Sequence, residues 1–192
     1  MLDKSIPYFN VIMKRHAGSF LPQFVLPVGY SIGRYTEGME LQWAAIETSV
    51  GEFDSDEESL TYFQKEYLPQ SNELKKRLLF VLNPEGEAVG TITGWWNLTG
   101  ERCDLAIHWF AVRPEYQGLG LGKALVAECM RNLIDLEGDK DIYLHTQTWS
   151  YKAITLYLKT GFKIETKDTF AHYQNDYESA LPILQKLLNR KL

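Results

Sequence analysis

The feature that most constrains the fold of this chain is a glycine-rich turn, Gln117-Gly118-Leu119-Gly120-Leu121-Gly122. It follows a strand predicted over 103–112 and opens a helix predicted from about Gly120 to Glu137, whose leucines recur at helical spacing. Glycine allows positive φ and close approach of the backbone to a ligand. A helix start adds unpaired N–H groups and the positive end of the helix dipole. The turn therefore predicts an anion site that best suits a phosphate.

Two better-known phosphate motifs do not fit this turn. The Walker pattern needs Gly where Gln117 stands and Ser or Thr where Ala124 stands. The dinucleotide pattern GxGxxG fails in both registers, because Lys123 and Leu125 occupy positions that require glycine. A tight strand-to-helix connection, with glycines that serve packing alone, stays open as the alternative to a phosphate site.

The order of the predicted elements indicates the fold class. Short apolar runs at 78–82, 87–96 and 103–112, separated by turns, predict an antiparallel meander. The strand, helix and strand between 103 and 149 have a crossover long enough for parallel pairing. Two helices precede the meander: 39–48, with Leu41, Ala44 and Ala45 as its apolar stripe, and 57–67, capped by Asp54 or Ser55. The pattern predicts an α/β (α+β) fold with a mixed, mainly antiparallel central sheet flanked by helices.

Composition excludes several classes of protein. The 192 residues suit a single domain, and the net charge of −5 without a Lys/Arg block disfavours nucleic-acid binding. Cys103 and Cys129 have no CxxC spacing and no clustered histidines, so we expect no metal site and two small buried side chains. No signal peptide follows Met1, and no stretch approaches the ~20 apolar residues of a membrane-spanning helix. We therefore expect a cytoplasmic protein that does not bind membranes.

Two segments carry a family resemblance. Residues 110–125, FAVRPEYQGLGLGKAL, resemble the acetyl-CoA signature Q/R-x-x-G-x-G/A of the GCN5-related N-acetyltransferases (GNAT), which a V-x-P stretch precedes. Residues 153–162, AITLYLKTGF, resemble the second motif of that family, A-x-x-L-Y-x-x-x-G-F. The resemblance implies the acyl-CoA N-acyltransferase fold, with two splayed parallel central strands. It also implies one domain over 1–192, with an N-terminal extension at 1–28 and a C-terminal tail helix at 174–192.

The resemblance assigns the cofactor residues. Backbone groups around Phe110 and Val112 would bind the pantetheine arm of acetyl-CoA, the co-substrate. The pyrophosphate would bind the turn, whose implied contact residues are Gln117, Gly118, Leu119, Gly120, Gly122 and Lys123. Ser150 stands where many members carry an asparagine that orients the cofactor. We expect Ser150 to cap the helix predicted over 151–160.

Tyr157 is the candidate general acid. The family match implies that its hydroxyl protonates the departing thiolate of CoA, and a phenol is a usable donor. The alternative is a tyrosine of the core, since one helix face carries residues 153, 154, 157 and 158.

The general base is less clear from sequence. Strand alternation, in the absence of a bulge, places Leu105, Ile107 and Trp109 on one face and Asp104, Ala106 and His108 on the other. His108 has a suitable intrinsic pKa, and Asp104 could act through water. The alternative for His108 is a half-buried, hydrogen-bonded histidine, and His145 is a third candidate.

These observations together predict an acetyl-CoA-dependent N-acetyltransferase, an acyltransferase in which a primary amine attacks the acetyl group directly. The alternative is a non-catalytic acyl-CoA-binding sensor or interaction module. The acidic segment 52–58 reads more simply as a solvated loop than as an acceptor site. We expect a small-molecule amine as substrate, while an apolar tail helix, with Leu181, Leu184, Leu187 and Leu188 on one side, leaves a homodimer possible.

Overall fold

A computed structural model describes residues 2–189 of the chain. Its strands are β1 (Asn10–Arg15), β2 (Ser31–Arg34), β3 (Leu78–Leu82), β4 (Ala88–Thr99), β5 (Arg102–Val112), β6 (Ile142–Gln147) and β7 (Lys163–Ile164). Its α-helices are α1 (Glu40–Ser49), α2 (Asp56–Glu66), α3 (Ser71–Arg77), α4 (Leu121–Glu137), α5 (Tyr151–Lys159) and α6 (Tyr177–Leu188). None of these helices is long and apolar enough to cross a membrane, as far as residues 2–189 are concerned.

The seven strands form one sheet in the order β2-β3-β4-β5-β6-β1-β7. Every neighbouring pair is antiparallel except β5 and β6, which pair in parallel at Leu105–Ile142 and Ala106–Tyr143. The predicted mixed, mainly antiparallel sheet with two central parallel strands is therefore confirmed. Phe170 and Tyr173 form an isolated antiparallel bridge outside the seven strands.

The two ends of the chain are built into this fold. β1 lies between β6 and β7, so residues 10–15 of the predicted N-terminal extension are a strand of the sheet. Ala180 and Leu184 of α6 are buried in the core of the same chain, which removes much of the apolar face expected to meet a second chain. Residues 1 and 190–192 of the predicted end segments lie outside the described residues.

Helices cover both faces of the sheet. α4 packs on one face through Leu125, Cys129 and Leu133, where α5 and α6 join the same core. α1 and α2 pack on the other face around an aromatic cluster whose buried members include Trp43, Phe63, Tyr67 and Trp95. Of the two cysteines that we expected to be buried, Cys103 is exposed, because it stands near the turn of the β4–β5 hairpin.

The inward face of α1 differs from the predicted stripe. Leu41 is 66% exposed, and the buried residues are Trp43, Ala44, Ile46 and Glu47. The reason is that Trp43 fills the aromatic cluster, which rotates the helix away from Leu41. α2 agrees with its prediction, since Ser55 is the N-cap and its Oγ accepts from the Glu58 amide at 3.2 Å. Sequence patterns did not predict α3.

Candidate active site

The three glycines of the turn have two different structural roles. Gly118 and Gly120 have φ of 86° and 85°, a left-handed conformation that side chains disfavour, and nothing lies within 4 Å of an added Cβ at either position. At Gly122 an added Cβ would lie 2.8 Å from Leu156 Cδ1 and 3.0 Å from Phe110 Cζ. The first two glycines shape the turn and leave open space in front of it, whereas the third lets α4 approach α5 and β5.

The turn presents free backbone donors to that open space. Gly120 is the N-cap of α4 without a side-chain cap, and the amides of Gly118, Leu119 and Gly120 have no hydrogen-bond acceptor within residues 2–189. A cavity of about 330 Å³ lies against these groups. Free amides at the start of a 17-residue helix form the arrangement that binds phosphate groups.

Most predicted cofactor residues line this cavity, namely Phe110, Val112, Gln117, Gly118, Gly120, Gly122, Lys123 and Ser150. The Leu119 side chain is 47% exposed and does not line it, so only its backbone amide is positioned for a ligand. Gln117 Nε2 donates to the Val112 carbonyl at 2.8 Å, which ties the turn to the end of β5. Lys152 also lines the cavity and adds a positive charge that sequence reasoning missed.

Ser150 does not cap α5 as predicted, because its side chain makes no capping hydrogen bond. Residues 148–150 form a short 3₁₀ turn that leads directly into α5, and Ser150 has φ −96° and ψ 31°. A side chain caps a helix from the extended conformation, which Ser150 does not adopt. It lines the cavity instead.

The parallel strands separate beside the cavity, as the resemblance implied. β5 and β6 share only two paired positions, after which β6 continues along β1. β5 also carries a bulge, since Thr91 pairs with Ala111 but Thr93 pairs with His108, and Trp109 has φ 45°. The split leaves the β6 side of residues 108–112 without a strand partner.

The bulge corrects the predicted faces of β5. Leu105 and Ile107 pack towards α4, as alternation predicted for one face. Trp109, expected with them, packs instead against the aromatic cluster of α1 and α2. The extra residue shifts the alternation by one position, so that His108 and Trp109 both contact tyrosines of this cluster: Tyr67 and Tyr62, respectively.

A larger cavity of about 770 Å³ adjoins the first one. The side chains that line both cavities include Glu52, Phe110, Ser150 and Ala153. The walls of the larger cavity come from α1 and α2, from the open ends of β5 and β6, and from the loop that carries Phe170 to Tyr173. The larger cavity therefore gives a second molecule access to whatever occupies the first.

Tyr157 lies at the junction of these parts. It lines the larger cavity, is 6% exposed, and packs against Phe110 with ring centroids 5.8 Å apart. Burial raises the pKa of Tyr157, and the carboxylates of Glu52 and Glu47 raise it further. The phenol therefore carries its proton at neutral pH, as a general acid must, although the raised pKa makes it a weaker acid than an unperturbed tyrosine.

Glu47 is a buried acidic residue of the larger cavity that sequence reasoning missed. It is 0% exposed, lines the larger cavity, and neither carboxylate oxygen has a hydrogen-bond partner among residues 2–189. Burial raises the pKa of Glu47 well above its usual value, and Glu52 adds to the effect. Glu47 follows Trp43 by four positions and Ala44 by three, so it lies on the same face of α1 as these two residues. The sequence indicates a buried Glu47 only if Trp43 is taken to mark the inward face.

The two histidine candidates also line the larger cavity. His108 Nδ1 lies 3.4 Å from the Tyr67 hydroxyl, and burial lowers its pKa to about 4. His145 Nε2 lies 2.9 Å from Asn10 Oδ1, and burial, assisted by His172, lowers its pKa to about 4. Both imidazoles are therefore neutral at pH 7 and weaker bases than an unperturbed histidine.

Asp104 is not among the described lining residues of either cavity. Arg102 Nε lies 2.7 Å from Asp104 Oδ1, and the Thr99 hydroxyl donates to Oδ2 at 2.6 Å. Arg102 also pairs with Asp168 at 3.3 Å and donates to the Thr169 carbonyl at 3.0 Å. Asp104 and Arg102 thus anchor the loop that forms one wall of the larger cavity.

The acidic segment divides into two parts. Glu52 lines both cavities and is itself exposed, as are residues 54–58, which lead into the first turn of α2. The interpretation as a solvated loop therefore agrees with the exposure of the segment, although Glu52 also faces the cavities.

Comparison with known proteins supports the architecture. The sequence model of the acetyltransferase (GNAT) family matches residues 40–162, more than half of the chain. A GCN5-related N-acetyltransferase from Sphaerobacter thermophilus superposes with a TM-score of 0.59 at 21% identity, covering 81% of this chain and 48% of that one. Glucosamine-6-phosphate N-acetyltransferase from Arabidopsis thaliana superposes with a TM-score of 0.53 at 14% identity, and the match covers 76% of this chain and 99% of that one. At such identities the likeness concerns the fold.

Curated relatives align over part of their length. Mycothiol acetyltransferase of Paenarthrobacter aurescens is 28% identical over 151 residues, which cover 75% of this chain and 46% of that protein. An N-alpha-acetyltransferase of Sulfurisphaera tokodaii is 37% identical over 70 residues, 36% of this chain and 41% of that protein. The chain thus spans about half the length of the relatives it matches. From the family match, the shared fold and the glycine turn at the start of α4, we conclude that the chain belongs to the acetyltransferase (GNAT) family.

Proposed function

We propose that this protein is an N-acetyltransferase that moves an acetyl group from acetyl-CoA to a primary amine by direct attack. One observation carries the proposal: a cavity with free helix-start amides adjoins a second cavity that holds Tyr157 and the unpartnered carboxylate of Glu47. The first cavity suits a pyrophosphate, and the second supplies an acid and a base for amine acylation.

The residues of the smaller cavity fit the co-substrate. The amides of Gly118, Leu119 and Gly120 would bind the pyrophosphate, and Lys123 and Lys152 would add positive charge. The unpaired edge of β5 beside Phe110 and Val112 offers backbone groups to a pantetheine arm. Bound acetyl-CoA would supply the acetyl thioester and, after transfer, a thiolate that requires a proton.

Glu47 is the general base in this proposal. In its ionised form the buried Glu47 carboxylate, which has no hydrogen-bond partner among residues 2–189, accepts a proton from an ammonium ion that enters the larger cavity and leaves a nucleophilic amine. The raised pKa makes Glu47 a stronger base than an ordinary carboxylate. His108 is the second candidate, but a pKa of about 4 makes it a weaker base. Asp104 takes no part in proton transfer and holds the cavity wall through Arg102.

Tyr157 is the general acid, as the motif over residues 153–162 implied. It donates its proton to the departing thiolate, and its raised pKa ensures that it is protonated beforehand. Direct attack needs no nucleophile from the protein. A module that only bound acyl-CoA would have no use for an unpaired buried carboxylate beside the cofactor cavity, which favours the enzyme over this alternative.

The test is release of CoA thiol from acetyl-CoA with a panel of primary amines. We expect amine-dependent release, lowered about 100-fold or more by Tyr157→Phe. Tyr151→Phe, on the same helix but outside both cavities, is the matched control and retains activity. Binding of acetyl-CoA without transfer to any amine would refute the enzyme and favour the binding module.

A further inference from the structure

The place where the two cavities join is surrounded by the residues that line both of them: Leu2, Glu52, Phe110, Ser150 and Ala153. The glycine turn lines only the smaller cavity, and Tyr157 lines only the larger one. An acetyl-CoA molecule with its pyrophosphate at the turn brings its thioester to Tyr157 only if the acyl group lies at this junction. The junction residues are therefore the candidates for contact with the acyl group.

Leu2 differs from the other apolar residues of the junction. Phe110 belongs to β5 and Ala153 to α5, whereas Leu2 comes from the N-terminal segment. Leu2 is half-buried, yet it packs into none of the buried apolar clusters formed by residues 2–189. Its side chain therefore faces the cavities and not the core. The methyl end of an acyl group is apolar, and burying it against an apolar side chain is favourable.

Residues 2–9, the N-terminal strap, are tied to the turn between β6 and α5. The Asp3 amide donates to the Trp149 carbonyl at 3.1 Å, and the Trp149 indole N–H donates to the Ile6 carbonyl at 2.5 Å. Backbone and side chain of one tryptophan thus hold two points of the strap. Because Asp3 directly follows Leu2, these hydrogen bonds keep Leu2 at the junction.

Thr148 of the same turn holds the other end of the N-terminal strap. Its hydroxyl donates to the Pro7 carbonyl at 2.5 Å and accepts from the Phe9 amide at 3.0 Å. Its own amide donates to the Phe9 carbonyl at 3.1 Å. Thr148 is 0% exposed and is not among the described lining residues of either cavity. Thr148 is therefore a positioning residue that acts on the junction through the strap.

We propose that Leu2 is a further binding residue for the co-substrate: it contacts the acyl group at the junction, and the N-terminal strap holds it there. This inference rests on the proposed function and adds the contact that distinguishes acyl-CoA from free CoA. The Leu2 side chain also fills space beside the acyl group, so it limits the room for a longer acyl chain.

Calorimetric titration of the full chain with acetyl-CoA and with CoA tests this contact without an acceptor amine. The ratio of the Kd of CoA to the Kd of acetyl-CoA measures what the acetyl group contributes. We expect Leu2→Ala to lower this ratio about 5-fold, because the methyl group loses an apolar neighbour. Leu98→Ala is the matched control and leaves the ratio unchanged, since Leu98 is 70% exposed and lines only the larger cavity. An unchanged ratio in a folded Leu2→Ala protein would overturn the inference.

Butyryl-CoA provides a prediction of opposite sign. Leu2→Ala opens space for the extra methylenes, so the affinity for butyryl-CoA relative to acetyl-CoA should rise about 10-fold. A structural role of Leu2 would change the affinities for all three ligands alike, and that result would overturn the inference.

Thr148→Val tests the N-terminal strap, because it removes the hydroxyl that holds Pro7 and Phe9. We expect it to lower the ratio of the two Kd values in the same direction as Leu2→Ala, and an unchanged ratio would contradict the role of the strap. Failure of the wild type to bind either acetyl-CoA or CoA would refute the proposed function and this inference with it. Acetyl transfer to an amine, with an unchanged ratio in Leu2→Ala, would overturn the inference alone.

Discussion

The burial of Glu47 predicts that this residue lowers the stability of the protein for the sake of its chemistry. Its side chain is 0% exposed and its carboxylate has no partner among residues 2–189. Glu47→Gln keeps the shape of the side chain and removes the ionisable group. We therefore expect the variant to be more stable than the wild type at alkaline pH, although it is less active.

The sign and size of the effect follow from the raised pKa of Glu47. A carboxyl group of this kind contributes its full stability below its unfolded pKa and loses it as the pH rises through its folded pKa. Each unit of pKa elevation then costs about 1.4 kcal/mol. In a chain of this size, 1 kcal/mol corresponds to a rise of about 2–4 °C in melting temperature.

Denaturant unfolding from about pH 4 to about pH 9 measures this difference. Both proteins contain His108 and His145, whose lowered pKa values act in the opposite direction, so the difference between the two curves isolates Glu47. The curves should converge at low pH and separate above it. Acetyl transfer should fall about 100-fold or more in Glu47→Gln, whereas Glu66→Gln on the exposed surface of α2 changes neither property. A variant that is less stable at pH 8, or that retains full activity, would refute the reasoning.

Two further substitutions separate the parts of the site. Gly120→Ala and Gly86→Ala should each cost about 1–2 kcal/mol of unfolding free energy, because both glycines have nearly the same left-handed φ and open space around them. Only Gly120→Ala should weaken acetyl-CoA binding, by about 10-fold in a calorimetric titration, and equal affinities would argue against a phosphate site at the turn. Arg102→Ala should raise the KM of the amine about 10-fold and leave acetyl-CoA affinity unchanged, since Arg102 anchors the loop that forms one wall of the acceptor cavity. Arg131→Ala, which breaks a surface pair on α4, is its control, and a parallel loss of acetyl-CoA affinity in Arg102→Ala would show a general structural role instead.

The local features of the site could be predicted from sequence. The turn at 117–122 depends on the conformations of neighbouring residues and on the helix that starts immediately after it. Gly118 and Gly120 have the positive φ that their residue type suggested, and α4 begins at Leu121. The motif over 153–162 predicted the helix that carries Tyr157, and Tyr157 lines the larger cavity, but its role as general acid stays a prediction.

The general base that we propose, Glu47, could not be predicted, because its position depends on how distant segments pack. Alternation along β5 pointed to Asp104 and His108, but the bulge at Trp109 breaks the alternation, and Asp104 is occupied by Arg102. Glu47 could be identified as a candidate only from the structure, in which the face of α1 that carries Trp43 and Glu47 is buried. Lys152 likewise has no motif of its own and reaches the cofactor cavity through the position of α5.

The sequence by itself therefore determined the glycine-rich turn, the fold class and the family, because each depends on patterns within a short stretch of chain. The tertiary structure alone decided the lining of the larger cavity. That cavity is made of parts of α1 and α2, the ends of β5 and β6, the N-terminal segment and the loop at 170–173, which lie far apart in sequence. Its buried carboxylate and aromatic walls arise from long-range packing, and no local pattern of residues encodes that packing.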